Sequence, residues 1–478
     1  MKNIIVAFLF SFLISSESNF ELSGYVDFAY ISKFSDKSII NIPYRLSSID
    51  IFHQKDQISL FANLALEYQI RDDNYFLEST DPQDFKFDLR ELYTTYHHDF
   101  YEIRLGKQIH SWGNVDDNSP LDNASAIDYY YIFFPGKERK IATFSGTLDL
   151  YLGNLKLQTI ISPLHNTNRL PIGNDDFPIE LPLIPEKSNM MPIKGLGFEK
   201  GLYASYPFNY GEISLSYFSG YDRIFNLSGV NVYGKRSDLS FTNIDILYGY
   251  RATETYGLGG VLLNTFFNLR FDIGYFSTQD KNDSTDFINR ESTYLPNFYD
   301  SLHFAYPLKE KSSYIQRTIQ FESDLPFDIN LIAQYFTHDT LSYSSDSLPV
   351  DQEISIPNLE IDPENITPSN FFTPGLGVPL AFITNEAFLI GINKKFLNNQ
   401  LKFSLTTLMD IQTNDKKSKK IYGQLNEFKI EYDIIQDLIF LLGITKINGK
   451  ENHPDGDNYR FKKMEDFSHL RFELKYFF

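Results

Sequence analysis

The sequence predicts an all-β protein, a single antiparallel up-and-down barrel of about 18 strands, with 16 as the alternative number. Three observations predict this fold. Apolar and polar residues alternate along many segments, short and long connections alternate between those segments, and the last segment is an alternating strand that ends on Phe478. Because consecutive side chains of a strand point to opposite faces, each such strand has one apolar and one polar face. A soluble β-sandwich shows the same alternation, so the connections have to distinguish the two folds.

The connections favour a transmembrane barrel. Very short links such as Gly153-Asn154 follow some strands, whereas long links such as 112–138 and 341–381 follow the others. Short periplasmic turns and long extracellular loops are typical of outer-membrane barrels.

Residues 244–263 could form one long strand or a strand with a loop hairpin. The predicted strand pairs are 20–33 and 42–53, 57–70 and 85–96, 100–111 and 139–152, 155–163 and 196–206, 211–221 and 244–263, 268–278 and 312–323, 328–340 and 382–395, 400–411 and 421–434, and 438–448 and 466–478.

The composition excludes several other classes of protein. The 478 residues include no Cys, which excludes disulfides, thiol catalysis and Cys-based metal centres. A net charge of −19 argues against a nucleic-acid-binding protein, which needs a basic face. The mean hydropathy is −0.28, and no apolar run of about 18 residues follows residue 16, so a helical membrane protein is excluded. Aromatic residues make up 16% of the chain, which suits the two interfacial girdles of a membrane barrel.

The first 18 residues have the order of a secretory signal peptide. The charged start Met1-Lys2-Asn3 precedes an apolar run from Ile4 to Ile14 and a small polar stretch that ends at Ser18. We therefore expect residues 1–18 to be a signal peptide and residues 19–478 to be the barrel. The chain is expected to be exported to the periplasm.

The last segment resembles the terminal strand of outer-membrane β-barrels. Arg471, Glu473 and Lys475 separate apolar residues at every second position, and these apolar residues are Phe472, Leu474, Tyr476 and Phe478. In that class of protein a terminal aromatic strand is the signal that the assembly machinery reads. The resemblance implies insertion into the outer membrane of a Gram-negative cell. The implied partners are the barrel assembly machinery, outer-membrane lipid and lipopolysaccharide, with a homo-oligomer left open.

Residues 90–171 carry motifs of a further resemblance. The motifs are Arg90-Glu91-Leu92-Tyr93, Ile103-Arg104-Leu105-Gly106-Lys107-Gln108, Trp112-Gly113, Pro120-Leu121-Asp122-Asn123, Arg139 and Asn168-Arg169-Leu170-Pro171. In order and spacing they resemble a group of Gram-negative porin-like barrels, similar to the alginate-export type. The resemblance implies an outer-membrane channel and does not specify its solute. The stretch from Tyr129 to Phe134 is longer and more aromatic than usual in that group.

Loop 112–138 carries too many aromatic side chains to remain in water. We expect it to fold inward and narrow the lumen; the alternative is packing on the outer rim against lipopolysaccharide or a neighbouring loop. Trp112 is expected to anchor the rim rather than to bind substrate. Arg104 and Arg139 would favour anions at the constriction, whereas the acidic long loops would favour cations. The residues predicted to line the pore or its constriction are Glu102, Arg104, Gln108, His110, Arg139, Asp149, Arg270 and Asp272.

The function predicted from these features is passive diffusion of small polar or charged solutes. A barrel of 16–18 strands leaves an aqueous channel, whereas a smaller one is mostly filled. The alternatives are a plugged barrel that acts as an adhesin and, less favoured, an outer-membrane enzyme. The sequence lacks a Gly-x-Ser-x-Gly elbow and a His-Glu-x-x-His motif, so no catalytic residue, cofactor or metal ligand is predicted.

Overall fold

The computed structural model describes residues 19–40, 43–68, 85–132, 139–171, 185–193, 197–235, 241–288, 301–346, 372–413 and 418–478. Within these ranges, 18 antiparallel strands form one closed sheet in which each strand pairs with its neighbour along the chain and the last strand pairs with the first. The predicted barrel and its strand number are confirmed. The signal-peptide prediction for residues 1–18 lies outside the described residues.

The barrel strands are numbered β1 to β18 in chain order. They are Asn19–Lys33, Tyr44–Lys55, Ile58–Tyr68, Phe85–His98, Tyr101–Gln108, Thr143–Leu152, Leu155–Ser162, Glu199–Phe208, Gly211–Tyr221, Ala252–Leu263, Asn268–Gln279, Lys311–Leu325, Ile329–Ser344, Glu386–Phe396, Leu401–Thr413, Lys419–Ile435, Leu438–Gly449 and His469–Phe477.

The barrel closes through the first and last strands. Tyr25 is opposite Phe477 and Lys33 is opposite His469, and the backbone groups of Gly24 and Phe478 exchange hydrogen bonds of 3.0 and 3.1 Å. Gly24 permits this close approach, because a Cβ there would lie 2.8 Å from the Phe478 ring. Both described ends of the barrel therefore lie on the side of the short turns, here called the turn end.

The connections alternate as the sequence predicts. At the turn end, links of a few residues join β2 to β3, β4 to β5 and each later pair, and Gly153 (φ 62°) and Asn398 (φ 55°) adopt left-handed conformations there. The longer connections all leave the opposite rim, here called the loop end. Helices among the described residues are short, and none is long and apolar enough to span a membrane.

The two faces of the wall differ as the alternation requires. Phe87, Leu105 and many other large apolar side chains are exposed on the outside, whereas polar side chains point inward. Tyr217, Tyr256 and Tyr275 lie side by side on the outer faces of β9, β10 and β11, with ring centroids 5.3 and 6.4 Å apart. An apolar exterior with aromatic residues near its edge is the surface that a barrel presents to lipid.

The structure decides one open alternative and corrects two other predictions about the connections. Residues 244–263 contain a barrel strand and part of a loop hairpin, as the second alternative predicts, because Phe241–Gly249 belongs to a separate sheet with Asn226–Lys235 and Ser301–Pro307 at the loop end. This sheet has its own apolar core around Phe287, so parts of the predicted loops 222–243 and 279–311 are strands. The predicted strand 139–152 joins the barrel only at Thr143, because Lys140–Ile141 pairs with Ala126–Ile127 inside the lumen.

Candidate functional site: the lumen

Residues 112–132, here called the constriction segment, run through the interior of the barrel. Asp272 on β11 accepts hydrogen bonds from the backbone nitrogens of Asn114 and Val115, at 2.8 and 3.0 Å, and from the Asn114 side-chain amide. On β12 and β13, Gln320 and Gln334 bond to the segment at Asp116 and Asn118. The segment therefore reaches from β5 across to the opposite wall, so the expected inward fold is confirmed for these residues. Phe133 and Phe134 lie outside the described residues.

Trp112 anchors the beginning of the constriction segment inside the lumen. Its indole Nε1 donates to Gln158 Oε1 at 2.6 Å, and its ring stacks on Tyr203 at 5.9 Å. Only 3% of the side chain is exposed. Trp112 therefore packs on the inner wall and not at the predicted rim position, since Gly201 on β8 leaves space for the indole there.

Asp122 fixes the same end of the segment from within. Its Oδ1 accepts hydrogen bonds from the backbone nitrogens of Trp112 and Gly113 at 2.6 and 3.0 Å, and its Oδ2 accepts one from Lys140 Nζ at 2.8 Å. Burial disfavours the charged carboxylate, but the Lys140 ammonium and these hydrogen bonds outweigh it and lower the pKa of Asp122.

Two buried arginines hold the remainder of the segment. Arg169 forms two hydrogen bonds with Glu67, at 2.7 and 2.8 Å, and a third with Asp128 at 3.2 Å. Arg223 likewise forms two hydrogen bonds with Glu199, and it donates a third to the carbonyl oxygen of Asn123. Such planar, charge-assisted pairs restrict geometry strongly.

The motifs that carried the family resemblance meet around this segment. Glu91 accepts from the backbone nitrogen of Ile109 at 2.9 Å, and Asn168 accepts from that of Ile127 at 2.7 Å. Together with Asp122 and Arg169, these side chains bring distant parts of residues 90–171 to one place. Supporting the constriction segment accounts for their shared location.

The predicted pore residues all lie inside the barrel, where they fall into two groups. Most are on the inner face of the wall, whereas His110 and Arg139 lie in the connection between β5 and β6. Arg104 pairs with Asp149 at 3.2 Å, and Arg139 pairs with Asp117 at 3.1 Å. Arg270 pairs with Glu322 at 3.0 Å and donates to the carbonyl oxygen of Asn114. The Arg104 and Arg270 side chains retain 24% and 31% exposure to the lumen.

Three members of the predicted set are buried rather than exposed to open space. Gln108 and His110 bond to Ser145 at 3.0 and 2.9 Å and, like Asp272, are almost fully buried. These three side chains therefore do not face open space, and a role for them in solute passage stays a prediction. Glu102 lies away from the constriction, near the turn end, where it bonds to His97 at 3.1 Å.

A cavity of about 670 Å³ lies between the constriction segment and the wall formed by β13 to β18. On that wall, successive inward rows change in character towards the turn end. The first row is apolar, with Leu389, Leu408 and Leu425 in register. The rows below contain Glu427 and His469, then Lys429 and Arg471. The cavity is therefore apolar towards the loop end and charged below.

The charges that line this cavity are balanced. Among its described lining residues, the acidic ones are Asp116, Asp117, Asp122 and Glu427, and the basic ones are Arg139, Lys140, Lys429 and Arg471. Lys429 pairs with Glu427 at 3.3 Å, and Arg471 pairs with Glu473. The cavity therefore carries no strong field of one sign.

An apolar cluster fills the lumen above the cavity. Its buried members come from several long connections and pack against the inner wall near Phe336 and Ile447. The members from the connections include Tyr129, Tyr130, Tyr131, Leu380, Ala381, Phe382, Ile383, Tyr459, Phe461, Met464 and Phe467. Sequence reasoning identified the tyrosines and missed the others, since no periodic pattern marks an apolar residue in a long loop as inward-facing.

No family model matches the sequence. No curated protein matches it either. The predicted similarity to alginate-export barrels is not supported.

Several solved outer-membrane proteins resemble the barrel in structure. OccK8 (OprE) of Pseudomonas aeruginosa aligns with a TM-score of 0.48 at 10% identity, covering 96% of this chain and 98% of that one. OccAB3 of Acinetobacter baumannii aligns with a TM-score of 0.48 at 9% identity, covering 97% and 100%. OccK2 (OpdF) of Pseudomonas aeruginosa, solved in complex with glucuronate, gives 0.48 at 9% identity over 96% and 98%.

Proposed function

We propose that the protein is a channel of the Gram-negative outer membrane for the passive diffusion of small polar or charged solutes. The observation that carries the proposal is a closed barrel with an apolar exterior and a charged cavity beside an inward-folded segment. Open sheet edges cannot be satisfied in lipid, so an apolar exterior on a closed barrel indicates a membrane. The turn end would then face the periplasm and the loop end the outside.

The balanced cavity supports weak selectivity between anions and cations. Charge rings set ion selectivity in pores, and here each basic side chain that lines the cavity has an acidic partner. Neutral polar and zwitterionic solutes would meet no net barrier of charge.

Single-channel recording in planar bilayers tests this function. We expect discrete conductance steps and a reversal potential close to zero in a salt gradient. Arg139→Met and Glu427→Gln each remove one charge from the cavity, so they should shift the reversal potential in opposite directions, towards cations and anions respectively. Lys200→Met is a matched control, since Lys200 lies on β8 facing outward and should leave the potential unchanged.

A plugged barrel is the second candidate, and the apolar cluster above the cavity is the observation that favours it. Refolded, heat-modifiable protein that never conducts would support a surface-binding role and contradict the channel.

A further inference from the structure

The apolar cluster lies across the route that a solute would take to the cavity. Leu380 and Ile383 belong to the connection between β13 and β14, and Phe467 belongs to that between β17 and β18. All three are at most 9% exposed. They line the cavity together with Ile132 at the end of the constriction segment. Opposite them stands the apolar wall row that includes Leu408 and Leu425.

An apolar passage of this kind opposes hydrated ions. A charged or polar group that leaves water for apolar surroundings loses hydration free energy, and narrow apolar constrictions in channels can close by dewetting. The charged rows of the cavity begin only below this level, at Glu427 and Lys429. The barrier at the loop end is therefore apolar, and the polar surface lies behind it.

We propose that Leu380, Ile383 and Phe467 form an apolar gate that holds the channel closed at its loop end. The proposal rests on the proposed channel function. The gate opens when residues 379–383 and 464–467 move away from the wall row. The constriction segment remains in place during opening, because Asp272, Gln320 and Gln334 hold it to the opposite wall.

One buried carboxylate holds both movable parts. Asp410 on β15 accepts hydrogen bonds from the hydroxyl groups of Thr384 and Tyr459, and it is 1% exposed. Thr384 directly follows the gate residue Ile383, and Tyr459 precedes Phe467 in the connection between β17 and β18. Asp410 is thus a positioning residue that links the two sides of the gate to the wall.

Two kinds of variant separate the gate from its support. Leu380→Ser with Ile383→Ser makes the passage polar, so the current through the pore should rise several-fold and become steadier. Asp410→Asn keeps the size of the side chain but weakens acceptance from the two hydroxyl groups. It should increase the fraction of time that the channel is open without changing the size of each step.

Ile288→Ser is the matched control. Ile288 lies in a short helix of another connection, Ser284–Ile288, and is 53% exposed. It neither lines the cavity nor belongs to the apolar cluster. We expect this variant to behave like the unchanged protein, which should show brief openings from a mostly closed state. Heat-modifiable migration of every variant checks that the barrel has folded.

The outcomes distinguish the gate from the channel. If the unchanged protein conducts steadily and the serine variant conducts equally, the gate is overturned and the channel function stands. If Asp410→Asn alters step size but not open time, the positioning role of Asp410 is overturned. If neither the unchanged protein nor the serine variant conducts, the channel function itself fails.

Discussion

At the scale of residues, the lumen is organised by polar side chains of the wall that bind the backbone of the constriction segment. Asp272 accepts hydrogen bonds from two backbone N–H groups and one side-chain amide. A charged carboxylate accepts such bonds more strongly than a neutral side chain does. Because buried N–H groups need partners, an irregular segment can cross a lumen only where the wall supplies them. A glycine in the wall is needed where an aromatic ring of the segment packs closely against it.

Gly201→Ala tests one such approach. A Cβ at this position would lie 2.3 Å from the Trp112 ring, so the indole must move and its hydrogen bond to Gln158 must weaken. Trp112 is the sole tryptophan of the chain, so intrinsic fluorescence reports on it alone. We expect a red-shifted emission and greater acrylamide quenching. Gly443→Ala is the control, because its nearest neighbour would be 3.6 Å away; an equal shift in both variants would contradict the packing argument.

At the scale of elements, the constriction segment is fixed at its beginning by one ion pair with backbone support. The pKa of Asp122 is lowered from its ordinary value of 3.8, because Lys140 and the donated hydrogen bonds stabilise the carboxylate despite its burial. A group whose pKa is depressed by folding stabilises the structure above its ordinary pKa. That stabilisation is lost as the pH falls through the lowered value.

The constriction segment should therefore hold its position from neutral pH down to about pH 4 and loosen only below it. Trp112 emission during an acid titration measures this, since Asp122 binds the Trp112 backbone. Lys140→Met removes the favourable charge and should move the transition to higher pH. Lys156→Met, next to Asp149, is the matched control and should leave it unchanged. A transition insensitive to Lys140 would contradict the role of this ion pair.

At the scale of the whole molecule, the first and last strands determine whether the barrel exists. Phe472, Leu474, Tyr476 and Phe478 are all exposed on the outside, as the alternation predicts. Recognition of these four residues by the barrel assembly machinery stays a prediction. The closure itself depends on backbone pairing between β1 and β18, which an exchange of side chains leaves intact.

Phe478→Ala should consequently reduce the amount of folded protein in the outer membrane of expressing cells while leaving the fold of the inserted fraction unchanged. The measurement is the heat-modifiable fraction in isolated outer membranes. Phe477→Ala removes a neighbouring ring that contacts Tyr25, and serves as the matched control. Equal loss in both variants would attribute the effect to the stability of β18 and contradict a terminal assembly signal.

The sequence by itself determined the strands of the barrel wall and the face to which each side chain points. A two-residue period assigns each side chain to one face, so residues as distant as Glu102 and Asp272 could be placed on the inner face without coordinates. The alternation of short and long connections determined the strand number and the end from which the loops leave. Both are local properties, which a single sequence contains.

Only the tertiary structure decided what occupies the lumen. Asp272 contacts Asn114 across 158 positions of sequence, and Asp410 binds Tyr459 across 49. Nothing periodic connects such residues, so the support of the constriction segment, the burial of Gln108 and His110, and the apolar gate were inaccessible to sequence reasoning. The extra sheet at the loop end was missed for a related reason. Its strands pair with one another beyond the barrel, and an alternating segment does not reveal which sheet it joins.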